Sequence, residues 1–120
     1  MFGKRPRPGE DKKNSQLLTA FDRMVYFIFQ KQENESESEY KAKNKKEMLN
    51  LCDTILNGKP VLANFDNMGT SDCNFMLAFI SGVLYACDGE TIQISKKLFL
   101  FARKEEYEDG SLRQYVEDIK

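Results

Sequence analysis

Apolar positions along this 120-residue chain follow two rhythms, and each change of rhythm is marked by a turn former or a helix cap. Gly58-Lys59-Pro60 stops whatever precedes it, because Pro60 cannot continue a helix and pushes the residue before it toward an extended backbone. Val61-Leu62-Ala63-Asn64-Phe65 is apolar at nearly every position, the pattern of a strand covered on both faces and placed inside a sheet. The turn formers Asp66-Asn67-Met68-Gly69 follow, and then Thr70, Ser71 or Asp72 can cap a starting helix. Phe75, Met76, Phe79, Ile80, Val83 and Leu84 recur at helical spacing, and Leu77, Ala78 and Ala86 widen the stripe until little polar surface is left. Gly82 interrupts this helix at a cost of about 1 kcal/mol relative to Ala, which marks a close approach by another backbone. Asp88-Gly89 is expected to end it, with Gly89 as the left-handed cap. Thr91–Ile94 and Leu98–Phe101 then read as two strands joined by Ser95-Lys96-Lys97.

The flanks are read the same way. From about Glu39 to Leu56, Met48, Leu49, Leu51, Cys52, Ile55 and Leu56 repeat at three and four, while Lys41, Lys43, Lys45 and Lys46 form a wet face; Asn57-Gly58 closes this helix. Ser15 to Gln30 has two readings. A short helical turn followed by a strand, Met24 to Gln30, suits the β-branched and aromatic run Val25–Phe29; an amphipathic helix on a membrane surface suits Leu17, Leu18, Phe21, Met24, Val25 and Ile28. Ser111 caps a last short helix, Leu112 to Ile119, expected to close one end of the sheet or a dimer edge. The order strand, helix, strand, helix, strand, strand, helix predicts an α/β fold: a small two-layer sandwich, its mixed sheet of about four strands carrying two main helices plus the short C-terminal one. Residues 1–22 form a tail, 23–103 the core, and 104–120 a charged turn and the last helix.

Composition narrows the functional classes. Hydrophobic residues at 41% and charged residues at 31% describe a globular chain. The longest apolar run, Met24 to Phe29, is too short to cross a bilayer, and no segment reads as a secretory signal, so a cytoplasmic protein is expected. The net charge of −1 gives no reason to expect nucleic acid as the main partner. Within the tail, Phe2, Lys4, Arg5 and Arg7 suit either a solvated segment or contact with an anionic membrane surface. Cys52, Cys73 and Cys87 are widely spaced and the chain has no histidine, which argues against a zinc site or a disulfide framework. No activated nucleophile, carboxylate pair or phosphate-binding glycine loop can be assembled, so neither an enzyme nor a cofactor site is expected.

The ordered set Gly58-Lys59-Pro60-Val61 with Asn64, Phe79-x-Ser81-Gly82-x-x-Tyr85-Ala86-x-Asp88-Gly89, Ile92-Gln93 and Leu98-Phe99-Leu100 resembles the core of SepF, the bacterial and archaeal cell-division protein. Two departures mark a divergent member: Ile94 stands where the family often has a basic residue, and Ala102-Arg103 replaces a common Thr-Pro. The resemblance implies a homodimer at the division site, on the inner face of the cell membrane, binding the C-terminal peptide of FtsZ, the tubulin-like division protein. It implies a peptide groove using Phe99, with Phe75, Phe79 and Leu98 as apolar neighbours and Lys96 and Lys97 at the rim. It also implies a dimer or assembly contact at Gly82, Val83 and Tyr85. A second class remains open: an RNA-binding module in which Phe99 and Phe101 stack bases from one sheet face.

Overall fold

The computed structural model describes residues 18–119. A 3-10 turn, Phe21–Arg23, leads into β1 (Val25–Ile28), followed by α1 (Glu37–Leu56), β2 (Val61–Asn64), α2 (Thr70–Ala86), β3 (Gly89–Ser95), β4 (Leu98–Arg103), a second 3-10 turn (Lys104–Tyr107) and α3 (Ser111–Ile119). The strand reading of Met24 to Gln30 therefore holds, and the membrane-surface helix is excluded for Val25–Ile28. Ser15 and the tail residues Phe2, Lys4, Arg5 and Arg7 lie outside the described residues.

The sheet runs β1-β2-β4-β3. β1 is parallel to β2, with Val25 opposite Val61 and Ile28 opposite Asn64. β2 is antiparallel to β4, and β3 and β4 form the antiparallel hairpin, which carries a register shift between Gln93 and Ser95. This is the mixed four-stranded α/β sheet the sequence predicts, with β2 inside it. Gly58 takes φ 87° beyond the end of α1, its N–H bonding the Ile55 carbonyl at 2.9 Å. Left-handed backbone of that kind is cheap only for glycine.

Each face of the sheet has its own core. On the first, Phe29, Val61, Ala63, Phe65, Phe99 and Phe101 lie beneath Met48, Leu51, Cys52 and Ile55 of α1 and Cys73, Met76, Ile80 and Leu84 of α2. The rings of Phe29, Phe65, Phe99 and Phe101 form a continuous ladder, with successive centroids 5.1, 5.9 and 6.1 Å apart. On the second, Leu62, Leu100 and Ala102 are covered by Leu112 and Val116 of α3, with Ala20 and Tyr107 beside them. The short C-terminal helix therefore lies across the second face instead of closing an end of the sheet. It is tied down there: the Ala20 N–H donates to Asp109 Oδ2 at 2.8 Å, the Phe21 N–H to Ser111 Oγ at 3.0 Å, and the Tyr107 hydroxyl to the Glu90 carbonyl at 3.0 Å. Arg23 adds a charged link, pairing with the buried Glu106 and donating to the Gly58 carbonyl at 2.8 Å.

Three boundary expectations are corrected. α1 starts two residues early, at Glu37, because Ser36 and Glu39 form a reciprocal capping box. α2 starts at Thr70 behind Gly69 with no side-chain cap, so Thr70, Ser71 and Asp72 are already helical. The left-handed residue after α2 is Asp88, at φ 60°, and Gly89 instead opens β3. Glycine is needed at 89 for space: a Cβ there would collide with the Leu84 side chain and come 3.0 Å from the Ala102 carbonyl oxygen.

Candidate functional site

α1 and α2 lie side by side over the first sheet face, and their solvent-facing turns enclose a groove of about 410 Å³. α1 contributes Lys41, Asn44, Lys45, Met48 and Leu49, and α2 contributes Asp72, Phe75, Met76 and Phe79. Spacings of three and four place each set on a single helix face. Met48 and Met76 are buried and form the floor, where flexible thioether side chains adapt to what lies against them. The walls are exposed apolar side chains: Leu49 is 45% accessible, Phe75 65% and Phe79 41%. Apolar surface left open in a concave site, with few polar groups around it, is the usual form of a ligand site.

The polar rim is asymmetric. Lys41 and Lys45 line the α1 side and Asp72 the α2 side. Other cations nearby are already engaged, Lys43 with Glu35 at 2.9 Å and Lys31 with Glu37 at 2.8 Å. Glu35 is held below the usual carboxylate range by the Gln32 N–H and then by the Lys43 ammonium; Glu37 is held low chiefly by its hydrogen bond from Lys31. Lys41 and Lys45 make no ion pair among the described residues; Lys41 lies near enough to Glu37 to help hold its carboxyl low, and both lysines line the groove opposite Asp72.

The residues expected to share one peptide site are dispersed. Phe75 and Phe79 line the groove. Lys96 is exposed in the hairpin turn, and the Lys97 Nζ donates to the Met68 carbonyl at 2.6 Å. Leu98 packs with the second-face core, while Phe99, 7% accessible, is sealed into the first. Adjacent strand residues point to opposite faces, so Leu98 and Phe99 cannot line one groove wall. Phe99 is thus corrected from groove residue to core residue. Phe101 is fully buried, and neither ring is presented to a base. Gly82 is exposed with nothing within 4 Å of a built Cβ, and Tyr85 is 88% accessible; Val83 is half-buried against the core. The close approach expected at Gly82 is therefore not made among the described residues.

The α1 contribution was missed because its lysines read as a solvated face. The available signal was the breadth of the apolar stripe on α1, where Leu49 stands outside the set needed to cover the sheet. Burial pushes the Cys52 and Cys73 thiols up, away from the reactive thiolate. No group of three or more Cys, Asp or Glu among the described residues is arranged to hold a metal ion. No helix among them is long and apolar enough to cross a membrane.

The profile of the family "Cell division protein SepF" matches residues 40–105, from the first turn of α1 through β4 and into the following 3-10 turn. The chain belongs to the SepF family. It is 30% identical over 70 residues to the Cell division protein SepF of Caldanaerobacter subterraneus subsp. tengcongensis, covering 58% of this chain and 52% of that protein. It is 33% identical over 67 residues to the Cell division protein SepF of Lactobacillus helveticus, covering 56% and 46%. The chain spans about half the length of these curated relatives. The SepF match contains both walls of the groove, whereas β1 and α3 lie outside it.

Proposed function

We propose that this SepF-family chain is a cell-division adaptor that binds the C-terminal peptide of FtsZ and helps organise the division ring at the membrane. The observation that carries this reading is the groove between α1 and α2, open, apolar and basic along one lip. Its size suits two or three side chains of a short peptide, the mode in which apolar anchors enter pockets and charges at the rim set orientation. Phe75 and Phe79 remain the anchoring residues; Lys41 and Lys45 take the rim role first assigned to Lys96 and Lys97. The test is a calorimetric titration with the FtsZ C-terminal peptide of the same organism. Binding that disappears in Phe75→Asp supports the adaptor; binding of single-stranded RNA, steep in salt, with no response to the peptide, replaces it with a nucleic-acid module.

The same reading includes self-association through α2. Ala78, Gly82 and Ala86, all exposed, recur every four residues beside the exposed Tyr85, a surface that lets a second helix approach closely. A two-fold pair would bury this surface against its own copy, with Gly82 at the crossing. Membrane contact by Phe2, Lys4, Arg5 and Arg7 completes the proposal. It predicts sedimentation with anionic vesicles that weakens as salt rises and is lost when residues 1–22 are removed.

A further inference from the structure

Asn44 is the one groove-lining residue whose chemistry the apolar floor and lysine rim leave unexplained. It is 9% accessible, lies between Lys41, Lys45 and Met48 on α1, and its Oδ1 is shut off from solvent with no hydrogen-bond partner among the described residues. Asn64 shows the ordinary arrangement in this fold: its Nδ2 donates to the Tyr26 hydroxyl and its Oδ1 accepts the Asp66 N–H at 2.8 Å. A buried amide oxygen without a partner penalises the free protein, and buried polar groups in native structures are nearly always satisfied. An aliphatic residue at 44 would remove the penalty and extend the apolar floor.

We infer that Asn44 is a specificity-determining residue: its side-chain amide pairs with the main chain of a bound peptide that carries an acidic side chain beside an apolar anchor. The torsion that orients an asparagine amide is broad, so a small rotation turns the group toward the groove. The anchor lies between Met48, Leu49, Phe75 and Phe79, which brings the adjoining peptide group over Asn44. The acidic side chain answers Lys41 and Lys45, one turn apart on the same lip. A ligand without main-chain amides leaves the Asn44 oxygen unpaired, and one without the acid leaves Lys41 and Lys45 with no ion pair. This inference rests on the peptide-groove reading and adds the residue that selects the ligand.

The test uses the full chain, the FtsZ C-terminal peptide as first probe, and two variants. Asn44→Leu is expected to melt at the same temperature as the wild type or higher, while peptide affinity falls about tenfold. Lys41→Glu with Lys45→Glu changes exposed positions only, and is expected to keep the melting temperature, weaken binding and abolish its salt dependence. An Asn44→Leu protein that is less stable or fails to fold, or that binds unchanged, overturns the inference, as does charge reversal without effect on affinity. If the wild type ignores the FtsZ peptide, the adaptor reading fails and the Asn44 claim is judged separately, by selecting random displayed peptides on the wild-type chain. Selected sequences that pair Asp or Glu with an apolar neighbour and lose binding to Asn44→Leu sustain it. Sequences without acidic residues, or indifferent to the substitution, overturn it.

Discussion

Phe99→Ala and Phe75→Ala separate fold from function, because the two rings lie on the same side of the sheet at opposite extremes of burial. Phe99 is 7% accessible and packs against Phe65 and Phe101, with centroids 5.9 and 6.1 Å away. Removing a buried phenylalanine ring costs about 3–5 kcal/mol, out of the roughly 5–15 kcal/mol that holds a domain folded. With a urea slope of about 1–3 kcal/mol per molar, the unfolding midpoint should fall by about 1 M or more. Phe75, at 65% accessible, is expected to change stability by no more than about 0.5 kcal/mol. Its loss should instead weaken the FtsZ peptide by about 2 kcal/mol, roughly thirtyfold, as truncation of an aromatic anchor does. Urea unfolding followed by far-ultraviolet circular dichroism reads the first quantity, and calorimetric titration of the folded protein the second. A Phe99→Ala protein with an unchanged midpoint and no peptide binding would refute the burial argument, returning β4 to the binding surface.

Three other perturbations follow from particular contacts. If the chain self-associates through α2 as proposed, Gly82→Lys should leave the fold intact and lower the assembly state measured by light scattering; an unchanged mass would remove α2 as the contact. Gly89→Ala should destabilise the chain by about 1–3 kcal/mol in the same urea experiment, because the added methyl collides with Leu84 and the Ala102 carbonyl; a neutral result would contradict the close approach of β3 to α2. The Asp109 carboxyl is held below its ordinary range by the Ser111 N–H, then by the Ala20 N–H. Its folded pKa is lower than its unfolded one, so its contribution is present above the unfolded Asp pKa and lost as pH falls through the depressed folded value. Acid should therefore release the Ala20 and Ser111 amides, read by their nuclear magnetic resonance shifts, and Asp109→Asn should remove that titration.

The elements were legible wherever local chemistry dominates. Pro60, the apolar run Val61–Phe65 and the stripe on α2 each admit one reading, and the parallel pairing of β1 with β2 follows from the helix between them. Failures occurred where distant residues decide. Nothing near Gly89 in sequence announces that Leu84 and Ala102 need its space, so a helix-ending glycine and a close-packing glycine look alike. Phe99 alternates with Leu98 and Leu100, and alternation alone does not reveal that both faces are covered, one by α1 and α2 and the other by α3. The groove was half legible. Phe75 and Phe79 stand out because α2 has more apolar residues than one sheet face requires, whereas Lys41, Asn44 and Lys45 gain meaning only once α1 lies beside α2.

The proposed function places the division peptide between α1 and α2. A titration of the isotopically labelled chain with the FtsZ C-terminal peptide, followed by amide and side-chain resonance shifts, tests it residue by residue. Shifts are expected to concentrate on residues 41–49 and 72–79, including the Asn44 side-chain amide, with the interior of β4 little affected. Shifts confined to Lys96, Lys97 and the second sheet face, or none at saturating peptide, would contradict it.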